Sequence, residues 1–591
     1  MIETEEAGMK RAAVVIGVDK TGGLPELKDS AKGAKRFAKW AQAQGMDPVK
    51  MITDQRSPVT LQKIKDAVKA IIDKGTIEQL LVYFAGHGVN IRRCEYWLLT
   101  DAPADPQAAV NVVSSELLAR YCGIPHVVMI SDACRTAAEG IQAQFVTGGE
   151  IFPNEGIGGL ERPVDQFFAC TLGRSAHEIR DPAITAGEYK ALYTGVLLDS
   201  LQGSPESIVD WVDTSSGFVR PRALKQHLYE EVTQKIAQLD LQTKIVQIPD
   251  ARITSDDNAW VASLKKADIK PVRRLRGRPR APVPVPNSPA TISQSLLDSA
   301  LSGDSPAHIS EIARRLGADP IGRDNFSATV ASASVPFGAM HHETKCGFKI
   351  RGAQFVASFS RNAVVEDPGR PANDLRVNSI NRPGFSVLLI LDTGAAVVLP
   401  AIPGFLCALT IDQGELVDVA YEPSDNSERW PQFEQCASKV RTLRAVAASS
   451  TWNGVFRLEG DNAFEVARQM QYAKGVDPAL AVYAAYAYQD LQRRDLIRSM
   501  SGYMEGDLGA RFFDLALLSG DMRDTTVGND PRVLSFVPLL AQGWALLAAY
   551  RVTMPNTLDG IERYLLNSPW TMFNNEGADL IRRAIAEGTV R

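Results

Sequence analysis

Two short segments of this chain hold side chains able to do covalent chemistry together. In Tyr83-Phe84-Ala85-Gly86-His87-Gly88 an imidazole sits between glycines at the end of an apolar run. In Ser131-Asp132-Ala133-Cys134-Arg135 a thiol ends a second such run, 47 residues further on. A thiol attacks a carbonyl carbon as the thiolate, and a neighbouring imidazole supplies that form by taking or stabilising the proton. The backbone amides of Gly88 and Cys134 are the candidates for holding the resulting oxyanion. A lone Cys or His is usually structural, and the chain has 7 of each. What sets His87 and Cys134 apart is joint occurrence: an apolar run ending in GHG, then one ending in SDACR.

The elements around them follow from hydrophobic pattern. Residues 12–18, 79–85 and 127–131 read as strands buried on both faces. Residues 28–44 place Ala31, Ala34, Phe37, Ala38 and Ala41 on one helical stripe that Gly45 stops. Thr60 suits the N-cap of a second helix, and Ser114 or Ser115 that of a third running to Tyr121. Alternating strands and helices imply a parallel sheet with right-handed crossovers, covered on both faces. Sites in such sheets form outside the carboxyl ends of strands, where His87 and Cys134 both fall. Residues 136–164 read as a long Gly-rich loop, residues 166–171 as another strand, and about 190–202 and 221–239 as helices.

These motifs resemble the caspase and metacaspase clan: YFAGHG is similar to its histidine motif and SDACR to its nucleophile motif. The likeness runs on through Thr171 to Glu178, where the family has a substrate-lining strand edge, and ends near Trp260. It implies a caspase-like, mostly parallel sheet flanked by helices, a Cys/His dyad and endopeptidase activity, in a prokaryotic type with a long C-terminal extension. Thr136 departs from the animal caspase signature, which has glycine there. Asp132 stands where animal caspases carry Gln. Side chains two apart on an extended segment share a side, so Asp132 should face the pocket of Cys134, repel an acidic P1 residue and pair with Lys or Arg. Metacaspase-like enzymes resemble this chain in a second acid, Asp29, at the start of the first helix. Both acids also have plain readings, Asp29 as a helix-start cap and Asp132 as a hydrogen-bonded core acid. Ser175, Ala176 and His177 would offer main-chain groups to an extended substrate by strand addition, or form a loop after a strand. The expected activity is a cysteine endopeptidase cleaving proteins after Arg or Lys, regulated by its C-terminal region and by an upstream protease or partner. The alternative is a non-proteolytic caspase-fold scaffold. A role in stress or antiviral defence rests on analogy alone.

The rest of the 591 residues divides by composition. The peptidase domain spans 1–264, and a basic, Pro-rich linker spans 265–291. A helix followed by a β-rich region spans 292–455, and a helical region spans 456–591. Residues 265–289 carry eight Lys/Arg and six Pro, so the linker should be extended and solvated. Its Gly277-Arg278-Pro279-Arg280 resembles the minor-groove core of an AT-hook, but a net charge of -5 argues against nucleic-acid binding. Seven scattered cysteines without CxxC spacing point to a reducing compartment. The acidic start, with no apolar h-region, is no signal peptide, and a cytoplasmic protein is expected. Residues 533–550 form an 18-residue stretch without charge, expected to be a buried helix and not a membrane span. His341, His342, Glu343 and Cys346 lack a second cluster at zinc spacing and read as a chance grouping. No organic cofactor is expected. Calcium dependence occurs among metacaspase-like enzymes, with no ligand set legible here.

Overall fold

The structure is a computed structural model. It describes residues 9–22, 24–27, 29–91, 94–133, 136–137, 146–155, 159–169, 182–238, 249–266, 346–361, 364–365, 369, 371–378, 383–452, 455–458, 463–528 and 530–590. Residues 267–291 of the basic linker, the helix expected at 292–316, and His341, His342 and Glu343 lie outside them. The chain divides into two compact units, Met1–Pro286 and Asn287–Arg591.

In the first unit β1 (Arg11–Gly17), β3 (Gln79–Gly86) and β7 (His126–Ala133) are apolar runs buried along their whole length, as strands covered on both faces must be. With β2 (Val49–Thr53), β9 (Val164–Phe168) and β12 (Asp250–Arg252) they form one sheet in the order β12-β9-β7-β3-β1-β2. Every pairing in it is parallel except β12 with β9. α1 (Ser30–Ala43) packs Ala34, Phe37 and Ala41 onto this sheet. Gly17 permits the approach, since a Cβ there would lie 2.8 Å from that of Ala34. α2 (Leu61–Ile72) starts as expected, Thr60 accepting from the Lys63 N–H. α4 (Pro182–Leu201) and α5 (Pro221–Gln238) complete the helical cover, α4 beginning eight residues before the pattern predicts.

Two short sheets were not expected. β4 (Gly88–Ile91), β5 (Cys94–Leu98), β6 (Ala109–Asn111) and β8 (Thr136–Ala137) make one, so the segment after Cys134 opens as a strand paired with β4. β10 (Val209–Trp211), β11 (Ser216–Val219) and β13 (Ala262–Lys265) make the other. The cap of α3 (Val112–Ala119) is also corrected: Asn111, not Ser114 or Ser115, accepts from the Ser114 N–H at 3.0 Å. The helix starts earlier than the serines suggested, and Ser115 instead donates to the Asn111 carbonyl and accepts from the Ile151 N–H.

The amino-terminal edge of the large sheet is closed by a buried polar chain. His126 donates to Asp165 at 2.9 Å, and Asp165 also accepts from Ser255 and from the Thr254 N–H. Burial alone would raise the Asp165 carboxyl, but the His126 and Ser255 hydrogen bonds outweigh it and hold it low. Gln79 joins His126 to the Trp260 carbonyl, and Arg11 joins Gln79 to the Val261 carbonyl.

The second unit contains β14 (Gly347–Arg351), β15 (Phe355–Phe359), β16 (Val364–Val365), β17 (Asp374–Asn378) and β19 (Ala396–Ala401), which with the three strands named next form a five-stranded sheet and a three-stranded one. The strands used below are β18 (Phe385–Leu391), β20 (Phe405–Asp412) and β21 (Glu415–Pro423), and α6 (Trp430–Ser449) follows them. Among the described residues, the α-helices that follow are α7 (Ala463–Ala473), α8 (Ala479–Asp490), α9 (Arg494–Leu508), α10 (Phe513–Ser519) and α11 (Asn575–Glu587). Residues 533–550 are largely buried but do not form the expected helix. They hold a two-residue strand, Val533–Leu534, and a 3₁₀ helix, Ala541–Leu546. Pro538 lacks the N–H a helix interior needs, Ser535 is turned to a φ of 30°, and Gly543 packs under the Tyr486 hydroxyl. Among the described residues no helix is long and apolar enough to cross a membrane.

Candidate active site

The register of β3 and β7 sets Gly86 opposite Ala133. His87 is the next residue after the first and Cys134 the next after the second. Cys134 itself, with Ser175, Ala176 and His177, lies outside the described residues. His87 is half-buried, and its Nε2 lies 2.8 Å from the Pro25 carbonyl oxygen. A carbonyl only accepts, so Nε2 carries the proton and donates, which leaves Nδ1 as the basic nitrogen of the neutral ring. Pro25 is held in place by its own segment. The Val18 N–H bonds the Ala85 carbonyl, the Leu27 N–H bonds the Asp19 carbonyl, and the Asp19 carboxylate accepts from the Ala31 N–H at 2.9 Å.

The glycines flanking His87 have separate reasons. A Cβ on Gly86 would lie 2.6 Å from the Phe84 ring. Gly88 opens β4 opposite Trp97, and it is buried. Phe84 stacks on Trp97 with ring centres 4.8 Å apart, and the Trp97 indole donates to Ser131, which donates to Glu95. This layer supports the strand ends from one side of the sheet.

On the other side Asp132 is 2% exposed, and its Oδ2 accepts from the Tyr83 hydroxyl at 3.1 Å and from the Thr194 hydroxyl. Burial pushes the Tyr83 hydroxyl well above its usual range, with the Asp132 charge adding to the effect, so it stays a donor. Asp29 stands at the start of α1, exposed, with its carboxylate on Lys32 at 3.0 Å. It makes no capping bond, and the carboxylate that bonds the first turn is Asp19. Gly33 lies one turn beyond Asp29 on the same face, its N–H bonded to the Asp29 carbonyl. A Cβ at Gly33 would lie 3.3 Å from the Tyr83 hydroxyl and 3.7 Å from Thr194. The α1 face that carries Asp29 and Gly33 therefore borders the hydroxyls that hold Asp132. Sequence reasoning missed Pro25, Tyr83, Thr194 and Gly33. Pro25 acts through a carbonyl every residue has, while Tyr83 and Thr194 meet Asp132, and Gly33 meets those two, only across long stretches of chain.

Among the described residues no group of three or more His, Cys, Asp or Glu is arranged to hold a metal ion. Cys346 is buried, which pushes its thiol up to about 12.

Residues 10–237 match the model of a family described as the caspase domain. The crystal structure of the Drosophila initiator caspase Dronc is similar at 11% identity and a TM-score of 0.26, covering 41% of this chain and 78% of that one. No curated protein matches the chain.

Proposed function

We propose, from the match of residues 10–237 to the caspase-domain model, that this chain is a cysteine peptidase, that Cys134 and His87 form its catalytic dyad and that it cleaves proteins after Arg or Lys. The observation that carries the dyad is the β3–β7 register: His87 and Cys134 each follow one member of the directly paired Gly86 and Ala133. The bond from His87 Nε2 to Pro25 supports the same reading, since it fixes the tautomer in which Nδ1 is the basic nitrogen.

In this mechanism the Cys134 thiolate adds to the scissile carbonyl, and the Gly88 and Cys134 amides hold the oxyanion. The tetrahedral adduct collapses as His87 passes its proton to the leaving amine. Water then attacks the thioester, His87 taking its proton, and the free thiol returns. No organic cofactor is required.

Asp132 carries the specificity. Its fixed negative charge lies at the C-terminal end of β7, two residues before Cys134, and favours a cationic P1 side chain over an acidic one. Asp29 adds a second negative charge on the bordering face of α1. Ser175, Ala176 and His177 supply the edge against which the extended substrate lies. The second unit regulates this activity or recruits substrates. The cysteines described are free thiols, which supports a reducing, cytoplasmic setting.

The test is a fluorogenic peptide panel with Arg, Lys or Asp at P1, run on the wild type and on Cys134→Ala. Cleavage after Arg and Lys should fall at least about 1000-fold in the variant. Equal rates for both proteins, or cleavage after Asp, would overturn the proposal. Failure of the wild type to cleave any peptide would favour the scaffold.

A further inference from the structure

We propose that the second unit binds a free apolar α-amino acid in a cavity beneath residues 521–536. The cavity encloses about 380 Å³, within the range of small-molecule sites. It lies beside two short parallel strands, Arg511–Phe512 and Val533–Leu534, and the start of β18. Phe385, Phe513 and Phe536 give it an aromatic floor, and all three are buried apart from this opening. Such a floor takes an apolar side chain.

The polar wall explains the rest of the ligand. Arg511 is 12% exposed, and its Nη1 bonds Asp521 at 2.5 Å. Glu505 stands 3.6 Å from its Nε and Asp530 3.6 Å from its Nη2, beyond good hydrogen-bond length. The Nε is buried and has no hydrogen-bond partner. A guanidinium presents five donors in a planar fork, a geometry suited to a carboxylate. An anion alone does not fit, however. Among the lining residues Arg511 and Arg532 are faced by Asp521 and Asp530, so the charges of the wall balance, and Glu505 reaches both guanidiniums from outside the lining. Asp530 stays ionised: burial would raise its carboxyl, but the bonds from Arg532 hold it below its ordinary range.

A ligand carrying charge of one sign would upset that balance, so the acceptor oxygens offered to Arg511 should come with a cation for Asp530. The partner points are close together, Asp530 Oδ2 lying 3.6 Å from Arg511 Nη2. An ammonium and a carboxylate on one carbon can meet both, whereas the two ends of a dipeptide are held further apart by the intervening peptide unit. The rim is also strained, with the non-glycine Ser535 at a φ of 30°. Backbone held in this way is found disproportionately where ligands are clamped.

Isothermal titration of the full chain with leucine, phenylalanine, glutamate and lysine tests the assignment. Leucine and phenylalanine should bind saturably, and glutamate and lysine at least about tenfold more weakly. Leucinamide lacks the carboxylate, N-acetyl-leucine lacks the ammonium, and Leu-Leu separates the two. Each should lose at least about tenfold. Arg511→Gln should lose as much. Should that variant fail to fold, the ligand series on the unaltered protein decides alone. No saturable heat from leucine or phenylalanine up to about 10 mM, or equal binding of leucinamide and leucine, would overturn the proposal.

Discussion

Asp132→Asn separates a specificity acid from a core acid, because the change leaves the surrounding hydrogen bonds possible. Both hydroxyls that reach Asp132, from Tyr83 and Thr194, bond the same oxygen, Oδ2. Asparagine can keep its one acceptor oxygen there and put its amide in the place of Oδ1. The bonds then change from charged to neutral acceptors, a difference of about 1 kcal/mol. For a unit of this size that lowers Tm by roughly 2–4 °C. The effect on catalysis is larger. Two unit charges about 4 Å apart at an effective dielectric of about 20 attract by about 4 kcal/mol. The asparagine carbonyl still accepts a hydrogen bond from a guanidinium or ammonium and retains about 1 kcal/mol of that. The remaining loss, near 3 kcal/mol, corresponds to a fall of about 100-fold in kcat/KM for Arg and Lys peptides. The assay pairs kcat/KM on Arg, Lys and Asp P1 peptides with the melting temperature of each protein. Arg and Lys turnover unchanged in a variant that melts within a few degrees of wild type would refute the reasoning. So would a large fall in Tm with P1 preference intact, which is the behaviour of a core acid.

Two further outcomes are expected. In the second unit burial holds the Asp418 carboxyl at about 7, against the pull of Arg444. Its folded pKa lies above the unfolded value near 4, so the folded state binds the extra proton and stability falls as pH rises through 7. Asp418→Asn should remove about 1 kcal/mol of the loss between pH 6 and 7 in urea unfolding. Asp514, raised to about 6 by burial, should keep the lower part of the slope. An unchanged slope in the variant would contradict this assignment. Self-processing, where it occurs, should fall within residues 265–280, which hold eight Lys/Arg, and not within 136–164. The only basic residue of that second stretch, Arg162, precedes a proline, and its N–H is tied to the Arg120 carbonyl while the Pro163 carbonyl is tied to Val127. Intact-mass analysis of active and Cys134→Ala protein checks this, and a cut between 136 and 164 that the variant lacks would contradict it.

The readable parts of the chain are those where one physical demand governs a run of residues. β1, β3 and β7 are legible because strands covered on both faces need apolar side chains at every position. β2 is not, because Val49 to Thr53 lies at the sheet edge, carries Lys50, and exposes Met51. Residues 533–550 show the converse. Absence of charge signals burial, but it does not specify the backbone. Pro538 decides against a continuous helix, and Gly543 serves the packing of Tyr486. Of the proposed site, His87 and Cys134 are picked out by side-chain type and spacing. The Pro25 carbonyl has no residue signal at all. Thr194 meets Tyr83 across 111 residues, a pairing that no local pattern contains.

Arg11, in the first strand of the sheet, bonds the Val261 carbonyl and lies over the Trp260 ring at 4.5 Å, just before β13 begins. Residues 11 and 260–261, far apart in sequence, thus lie side by side near the two ends of the first unit's described part. A domain whose ends meet can be carried as a cassette, since joining it to a new neighbour reroutes no chain across its surface. Joining such a unit to a different neighbour would leave undisturbed the strands that carry Asp132 and lead to His87. The same closure makes the unit a natural subject for circular permutation, with Arg11 and the residues after Val261 as the ends to be joined.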